Sequence, residues 1–303
     1  MTGTEGERVR YGQQVDPIHK QSQRARRDLA VGAAIEAALR QDRLMFAFQP
    51  VVCAATGVTD YFESLLRIRD ERGTIVASGE FITVSEELGL IGHIDRYALE
   101  RTVQELAAHP DVRLGFNISG LTACDRTWLR SLMSLLRERP ELARRLVVEI
   151  TETAALCDIE ESARFIDTLR ALGCRVALDD FGGGYAGLNV LATCVPDVLK
   201  VDGELIRNIH SSPLKKTIVG AFADVCRRLN VEIIAEGVET LAEVDALHGL
   251  GIYLMQGYFF ARPQAGQIPA VNFPRKYRST ALANEWPRIS KSDREWLRRA
   301  IRQ

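Results

Sequence analysis

The sequence contains no uninterrupted apolar run near the ~20 residues that a membrane-spanning helix requires, and its first residues are polar and charged. It reads as a chain without a bilayer anchor or secretory leader, so the cytoplasm is the expected compartment. No Cys-x-x-Cys pair occurs among the six cysteines, Cys53, Cys124, Cys157, Cys174, Cys194 and Cys226. Their scatter excludes a zinc knuckle or dithiol motif and suits reduced core thiols. Histidine is scarce, and none of the five (His19, His93, His109, His210, His248) falls at the end of an expected strand, so an imidazole-built zinc site is not expected. Net charge is nearly absent too, with 39 Lys and Arg against 40 Asp and Glu. That balance, with no aromatic-basic platform, argues against a nucleic-acid polymer as partner.

The charge is nevertheless segregated. Residues 275 to 303 carry nine basic and three acidic side chains, and residues 1 to 30 six and four, which leaves the middle acidic. At 303 residues the chain has room for one closed barrel with tails or for two small domains. Residues 1–27 lack apolar periodicity and read as a flexible arm. Residues 28–270 carry the patterned core, beginning with a helix capped by Asp28. Residues 271–303 form a basic extension in which Ser292-Asp-Arg-Glu295 resembles a capping box ahead of a short amphipathic helix.

Within the core, short apolar runs alternate with helical patterns. Strands are expected at 44–52, 58–69, 113–119, 145–152, 175–180, 197–202, 231–239 and 252–258, and from residue 113 onward a helix lies between each pair. Such alternation points to an α/β protein with a parallel sheet, and eight strands make a closed (β/α)8 barrel the economical solution. A doubly wound open sheet is the competing fold.

Most of these strands end in a polar or charged residue. The sharpest case is Arg175-Val-Ala-Leu-Asp-Asp-Phe-Gly-Gly-Gly-Tyr185, where an apolar run gives way to Asp179, Asp180 and three glycines. Adjacent residues of a regular strand face opposite ways, so both carboxylates reach one site only if the chain turns there. An Asp-Asp pair before glycines also suits an ordinary turn. So do the separate readings of Glu149 and Glu152 as surface acids, Asn117 as a turn former, Lys200 as a partner of Asp202, and Glu236-Gly-Val-Glu239 as the start of a helix. A barrel, however, would gather Glu63, Asn117, Glu149, Asp179, Asp180, Lys200, Glu236 and Gln256 on one rim. Carboxylates at 4 Å repel by about 4 kcal/mol at an effective dielectric of about 20. Such a rim must take up protons or bind cations. All-oxygen ligands suit Mg²⁺ or Mn²⁺, a shared aspartate can bridge two ions, and the chemistry expected of that pair is phosphodiester hydrolysis.

Seven motifs in order, Glu63-Ser-Leu65, Phe116-Asn-Ile-Ser119, Glu149-Ile-Thr-Glu152, Asp179-Asp-Phe-Gly182, Lys200-Val-Asp202, Glu236-Gly-Val-Glu239 and Gln256-Gly-Tyr258, resemble those of the EAL-domain cyclic-di-GMP phosphodiesterases. The match runs from about residue 29 to residue 265. The resemblance implies a modified TIM (β/α)8 barrel with one antiparallel strand, commonly a homodimer and open to regulatory protein partners, that opens cyclic di-GMP to linear pGpG with two Mg²⁺ or Mn²⁺ ions. It implies Glu63, Asn117, Glu149 and Asp179 as ligands of one ion, and Asp179, Asp180 and Glu236 as ligands of the other. Lys200, with Glu63 and Glu236, would serve catalysis. Gln49, Leu65, Arg67, Asp202 and Gln256 would meet the nucleotide or support its pocket, and Glu152 would anchor the loop after Asp180.

Three departures stand out. Ser64 replaces the usual alanine of the name motif, the Trp-x-His-Pro segment common after the arginine reads Ile68-Arg-Asp-Glu71, and the loop after Asp180 lacks hydroxyls at Gly183, Ala186 and Gly187. Relatives that have lost ligands act as cyclic-di-GMP receptors or protein-docking modules. The set is complete here, which favours the enzyme. An unrelated barrel acting with one Mg²⁺ on a small phosphorylated metabolite is the third reading.

Overall fold

The computed structural model describes residues 17–123, 125–183 and 187–269. Ten strands occur among them: β1 (Leu44–Cys53), β2 (Val58–Arg69), β3 (Ile75–Ala77), β4 (Leu114–Ile118), β5 (Leu146–Thr151), β6 (Arg175–Phe181), β7 (Val198–Val201), β8 (Glu232–Ala235), β9 (Leu254–Met255) and β10 (Gln264–Ala265). From β4 to β9 every neighbouring pair is parallel, and β2 joins β4 in the same sense. The sheet closes because β1 pairs with both β2 and β9, antiparallel to each. Eight strands thus make a barrel in which β1 alone runs backwards. The short strands β3 and β10 extend the wall at its margins.

A β1–β2 hairpin explains the reversal. Gly57, at φ +73°, closes a tight turn after Cys53, and the following ladder holds register from Val51↔Tyr61 to Leu44↔Ile68. A two-strand hairpin must be antiparallel, whereas later strands are separated by helices long enough to carry the chain back. Helices at Ile91–Ala108, Arg126–Glu138, Ile159–Ala171 and Pro213–Leu229 fill the outer layer. The apolar face of Ile159–Ala171 shows the pattern: Phe165, Ile166 and Leu169 are buried against the sheet.

One difference from the sequence reading concerns the first helix. It spans Pro17–Arg40 and so begins ahead of Asp28, which is no N-cap; residues 17–27 are helical and not part of a flexible arm. Their Lys, Gln and Arg side chains favour helix without offering the apolar periodicity by which a helix is read. Ahead of β4 two helices, Ile82–Glu87 and Ile91–Ala108, are separated around Gly89 at φ +69°. Residues 1–16, 184–186 of the loop after Asp180, and the basic segment 270–303 with its expected helix lie outside the described residues. No helix among the described residues is long and apolar enough to cross a membrane.

Candidate active site

The barrel interior follows a simple rule. Val51, Tyr61, Val147, Ala177, Val198, Ile234 and Leu254 belong to one buried cluster, distinct from the larger one beneath the helices. Residues two apart on a strand share a face. Two positions further along each parallel strand stand Glu63, Glu149, Asp179, Lys200, Glu236 and Gln256, and two positions back along reversed β1 stands Gln49. The chemical residues are therefore the next layer above the barrel's own core.

Lys200 occupies the centre. Its Nζ lies 2.6 Å from Glu149 Oε2, 2.9 Å from Asp179 Oδ1, 2.9 Å from Glu236 Oε1 and 3.4 Å from Glu63 Oε2. Both Lys200 and Glu149 are inaccessible to solvent, at 0% exposure. Glu63 is held from two further directions: Asn117 Nδ2 donates to Oε1 at 2.7 Å, and Gln256 Nε2 to Oε2 at 2.6 Å. Gln256 also donates to Gln49 Oε1 at 3.2 Å, and Gln49 in turn to the Ala261 carbonyl at 3.2 Å. Gly115 makes room below: a Cβ there would collide with Glu149 Oε1 and the Tyr61 ring.

The two aspartates meet as the strand-end argument requires. Asp180 has φ +55°, a left-handed conformation that breaks the alternation of β6. Ligand atoms of Asp179, Asp180 and Glu236 consequently lie within 4.8 Å of one another, as do those of Glu63, Glu149 and Asp179. Asp179 belongs to both groups.

One buried cation among this many carboxyls leaves a charge problem, and protonation is the local answer. Burial, with Glu63 and Asp179 adding to it, pushes the Glu149 carboxyl up to about 8 despite Lys200. Burial and Asp179 likewise hold Glu236 well above the usual carboxylate range. Partial desolvation and Asp179 raise Asp180 to about 6. For Lys200 burial works against the ammonium, but Asp179, Glu149, Glu236 and Glu63 outweigh it and hold the group well above the ordinary lysine value. Lys200 stays charged.

The remaining expected residues are placed around this centre. Glu152 Oε2 accepts the Gly182 N–H at 3.0 Å, which ties the end of β5 to the loop after Asp180. Arg67 donates to the Leu66 carbonyl at 2.8 Å, and Leu65 is half-buried opposite Ala47. Asp202 caps the short helix Gly203–Ile206 through the Glu204 N–H at 2.6 Å and is not drawn into the carboxylate cluster.

A scan against protein-family models matches residues 33–263 to the EAL domain. The chain belongs to the EAL domain family. Among curated relatives, the cyclic di-GMP phosphodiesterase PdeF of Escherichia coli (strain K12) is 33% identical over 76% of this chain and 31% of its own length. The cyclic di-GMP phosphodiesterase PdeR of the same organism is 34% identical over 80% of this chain and 36% of its own length. The chain thus spans about a third of the length of these relatives. The solved PaMucR phosphodiesterase–c-di-GMP complex superposes with a TM-score of 0.72 at 29% identity, over 78% of this chain and 97% of that one. The c-di-GMP-bound FimX EAL domain of Pseudomonas aeruginosa, 24% identical with a TM-score of 0.74 over 80% and 99%, shares the fold.

The donor set of this EAL domain fits a hard divalent cation. The two overlapping groups offer carboxylate oxygens only, and Glu149 Oε1, fully buried, has no hydrogen-bond partner among the described residues. Sequence reasoning missed two buried acids that hold the rim. Asp95, on the helix Ile91–Ala108, accepts the Ser119 N–H at 2.9 Å just beyond Asn117. Glu243 takes three backbone N–H groups of the loops after β7 and β8. The second left a sequence signal, Thr240-x-x-Glu243, which is a capping box in the structure. The first left none, because a lone Asp on a helix looks like a solvent-facing residue.

Proposed function

We propose that this EAL domain is a metal-dependent phosphodiesterase that opens cyclic di-GMP to linear pGpG and so lowers the messenger in bacterial signalling. The observation that carries this reading is the complete ring of Glu63, Glu149, Asp179 and Glu236 around buried Lys200, with Asn117 and Gln256 holding Glu63. Relatives that align over most of the chain are cyclic di-GMP phosphodiesterases, which supports the substrate class.

Glu63, Asn117, Glu149 and Asp179 would hold one Mg²⁺ or Mn²⁺, and Asp179, Asp180 and Glu236 a second. Such ions supply a lowered pKa for the attacking water and neutralise charge on the phosphate. The chain's own groups do the rest. Lys200, permanently charged, orients the water and balances the negative charge that builds as it adds to phosphorus. The P–O3′ bond then breaks, and the departing oxygen takes a proton to become the 3′-hydroxyl. Gln256 and Gln49 keep Glu63 from swinging into the pocket, while Leu65, Arg67 and Asp202 meet the nucleotide. Glu152, by holding Gly182, sets the loop that carries Asp180. The barrel unit of this reading is 28–270, acting in the cytoplasm as a homodimer under a regulatory protein partner.

The test is incubation of the protein with cyclic di-GMP and Mg²⁺ or Mn²⁺, chromatography for pGpG, and a chelator control. Metal-dependent pGpG is the expected result. Nucleotide binding by calorimetry with no product would replace the enzyme by a receptor.

A further inference from the structure

Glu243 is 2% exposed, yet it is neither a metal-site carboxylate nor part of an ion pair among the described residues. Its Oε1 accepts the Asn208 N–H at 2.8 Å, and its Oε2 accepts those of Glu239 and Thr240, each at 2.9 Å. Burial works to raise this carboxyl, but the Asn208, Glu239 and Thr240 amides outweigh it and hold it below the usual range, so the anion is the form that binds them. Asn208 belongs to the loop that follows Lys200 and Asp202, whereas Glu239 and Thr240 follow Glu236. One carboxylate therefore ties two rim loops together.

A second contact joins the same loops. Gly237, at φ +63°, approaches Gly203 so closely that a Cβ on it would stand 3.0 Å from the Gly203 Cα. The β7 and β8 loops meet there without side chains between them. Their separation fixes how far Glu236 stands from Lys200, a gap of 2.9 Å. A capping acid would need only its own helix; Glu243 also reaches Asn208, 35 residues away in sequence.

We propose that Glu243 is a positioning residue of the site: by binding both loops it holds Glu236 against Lys200 and Asp179 in the geometry that takes the second ion. The proposal rests on the metal-dependent reading given above. It predicts that Glu243→Ala weakens Mn²⁺ affinity by about tenfold to a hundredfold, as loss of a group that orients a ligand does. Turnover should fall in proportion while KM for cyclic di-GMP stays within about twofold.

Thr240→Ala is the matched control. It removes the hydroxyl that accepts the Glu243 N–H at 3.3 Å, and so the cap of the helix Leu241–Gly249, but leaves the carboxylate tie in place. It should lower Tm without changing Mn²⁺ affinity. Glu243→Gln keeps one acceptor oxygen, so it should recover part of the affinity and speed amide exchange at one of the two loops only. If Glu243→Ala and Thr240→Ala lose the same Tm and both keep full Mn²⁺ affinity, Glu243 is a helix cap and the proposal is overturned. Should Glu243→Ala not fold, unchanged Mn²⁺ affinity in Glu243→Gln overturns it equally. A wild-type protein that takes up no Mn²⁺ would sink the metal reading instead. The tie is then judged by amide exchange at Asn208 and Glu239 in Glu243→Gln, where no acceleration at either would refute it.

Discussion

Two ionic clusters occupy the two ends of the same barrel, and they are built differently. At the floor, Arg175 Nη2 lies 2.6 Å from Glu232 Oε2 and its Nη1 lies 3.3 Å from Asp60 Oδ2, while Arg113 Nη1 reaches Asp60 Oδ1 at 3.1 Å. Two cations there meet two anions. At the mouth one cation faces Glu63, Glu149, Asp179 and Glu236. The strands themselves link both ends: Arg113 and Asn117, Arg175 and Asp179, and Glu232 and Glu236 are each four residues apart along a strand or the residue adjoining its end, the spacing that returns to one face. A balanced cluster needs nothing more. An unbalanced one is stable only with protons or added cations, and the raised Glu149, Asp180 and Glu236 carboxyls are the protons' share. Charge imbalance, more than burial, separates the site from the scaffold.

The sharpest way to break this comparison is at Glu63. Glu63→Ala should abolish pGpG formation while leaving the fold intact, because it removes one anion from a crowded set. Full activity in Mg²⁺ would refute the assignment of the mouth as the catalytic end. Next, the two ends should respond differently to loss of their buried cation. Lys200→Met and Arg175→Met each strand carboxylates in the interior, a defect worth about 3–5 kcal/mol. Mn²⁺ should restore the Tm of Lys200→Met, since the mouth can exchange one cation for another, and should leave that of Arg175→Met where it fell. Equal responses in thermal unfolding would mean that both clusters are scaffold.

A smaller effect follows from pH. Glu149 is raised from 4.5 to about 8 and Asp180 from 3.8 to about 6. A carboxyl whose folded pKa lies above its unfolded value contributes stability at low pH, which is lost as pH rises through the folded value. Metal-free protein should therefore lose stability from about pH 4, where these carboxyls ionise in the unfolded chain, to about pH 8. Mn²⁺ must displace those protons, so its affinity should rise over the same interval. Thermal unfolding in chelator and in Mn²⁺, at both pH values, measures the two trends; parallel curves would show that the mouth carries no excess charge.

Much of this contrast was legible in the chain. Eight apolar runs with polar ends became the eight barrel strands, and Asp179 and Asp180 converge through the backbone turn that two adjacent carboxylates demand. What escaped was short or non-local. β3 and β10 are three and two residues long, too brief for any periodicity to register. Residues 17–27 have helix-forming side chains without an apolar face, and so read as an arm. The one antiparallel strand that the family resemblance implies is β1; the rhythm of runs does not carry its reversal, which follows from the hairpin after Gly57. Glu243 and Asp95 act through backbone amides on other elements, partners that no local pattern names.

The finest test of where the mouth ends lies one residue from Glu63. Ser64 departs from the alanine usual in the family motif, and it sits next to a residue held by three side chains. Alternation puts its side chain on the opposite face of β2, away from the interior. It is 4% exposed, and its hydroxyl has no hydrogen-bond partner among the described residues. A buried hydroxyl without a partner costs about 1–3 kcal/mol. Ser64→Ala should therefore stabilise the fold by about 1 kcal/mol, read as a rise of a few degrees in Tm, with kcat and KM within about twofold of wild type. A larger change in turnover would show that the wall behind Glu63 sets its position, and the boundary between site and scaffold would then lie one layer further out.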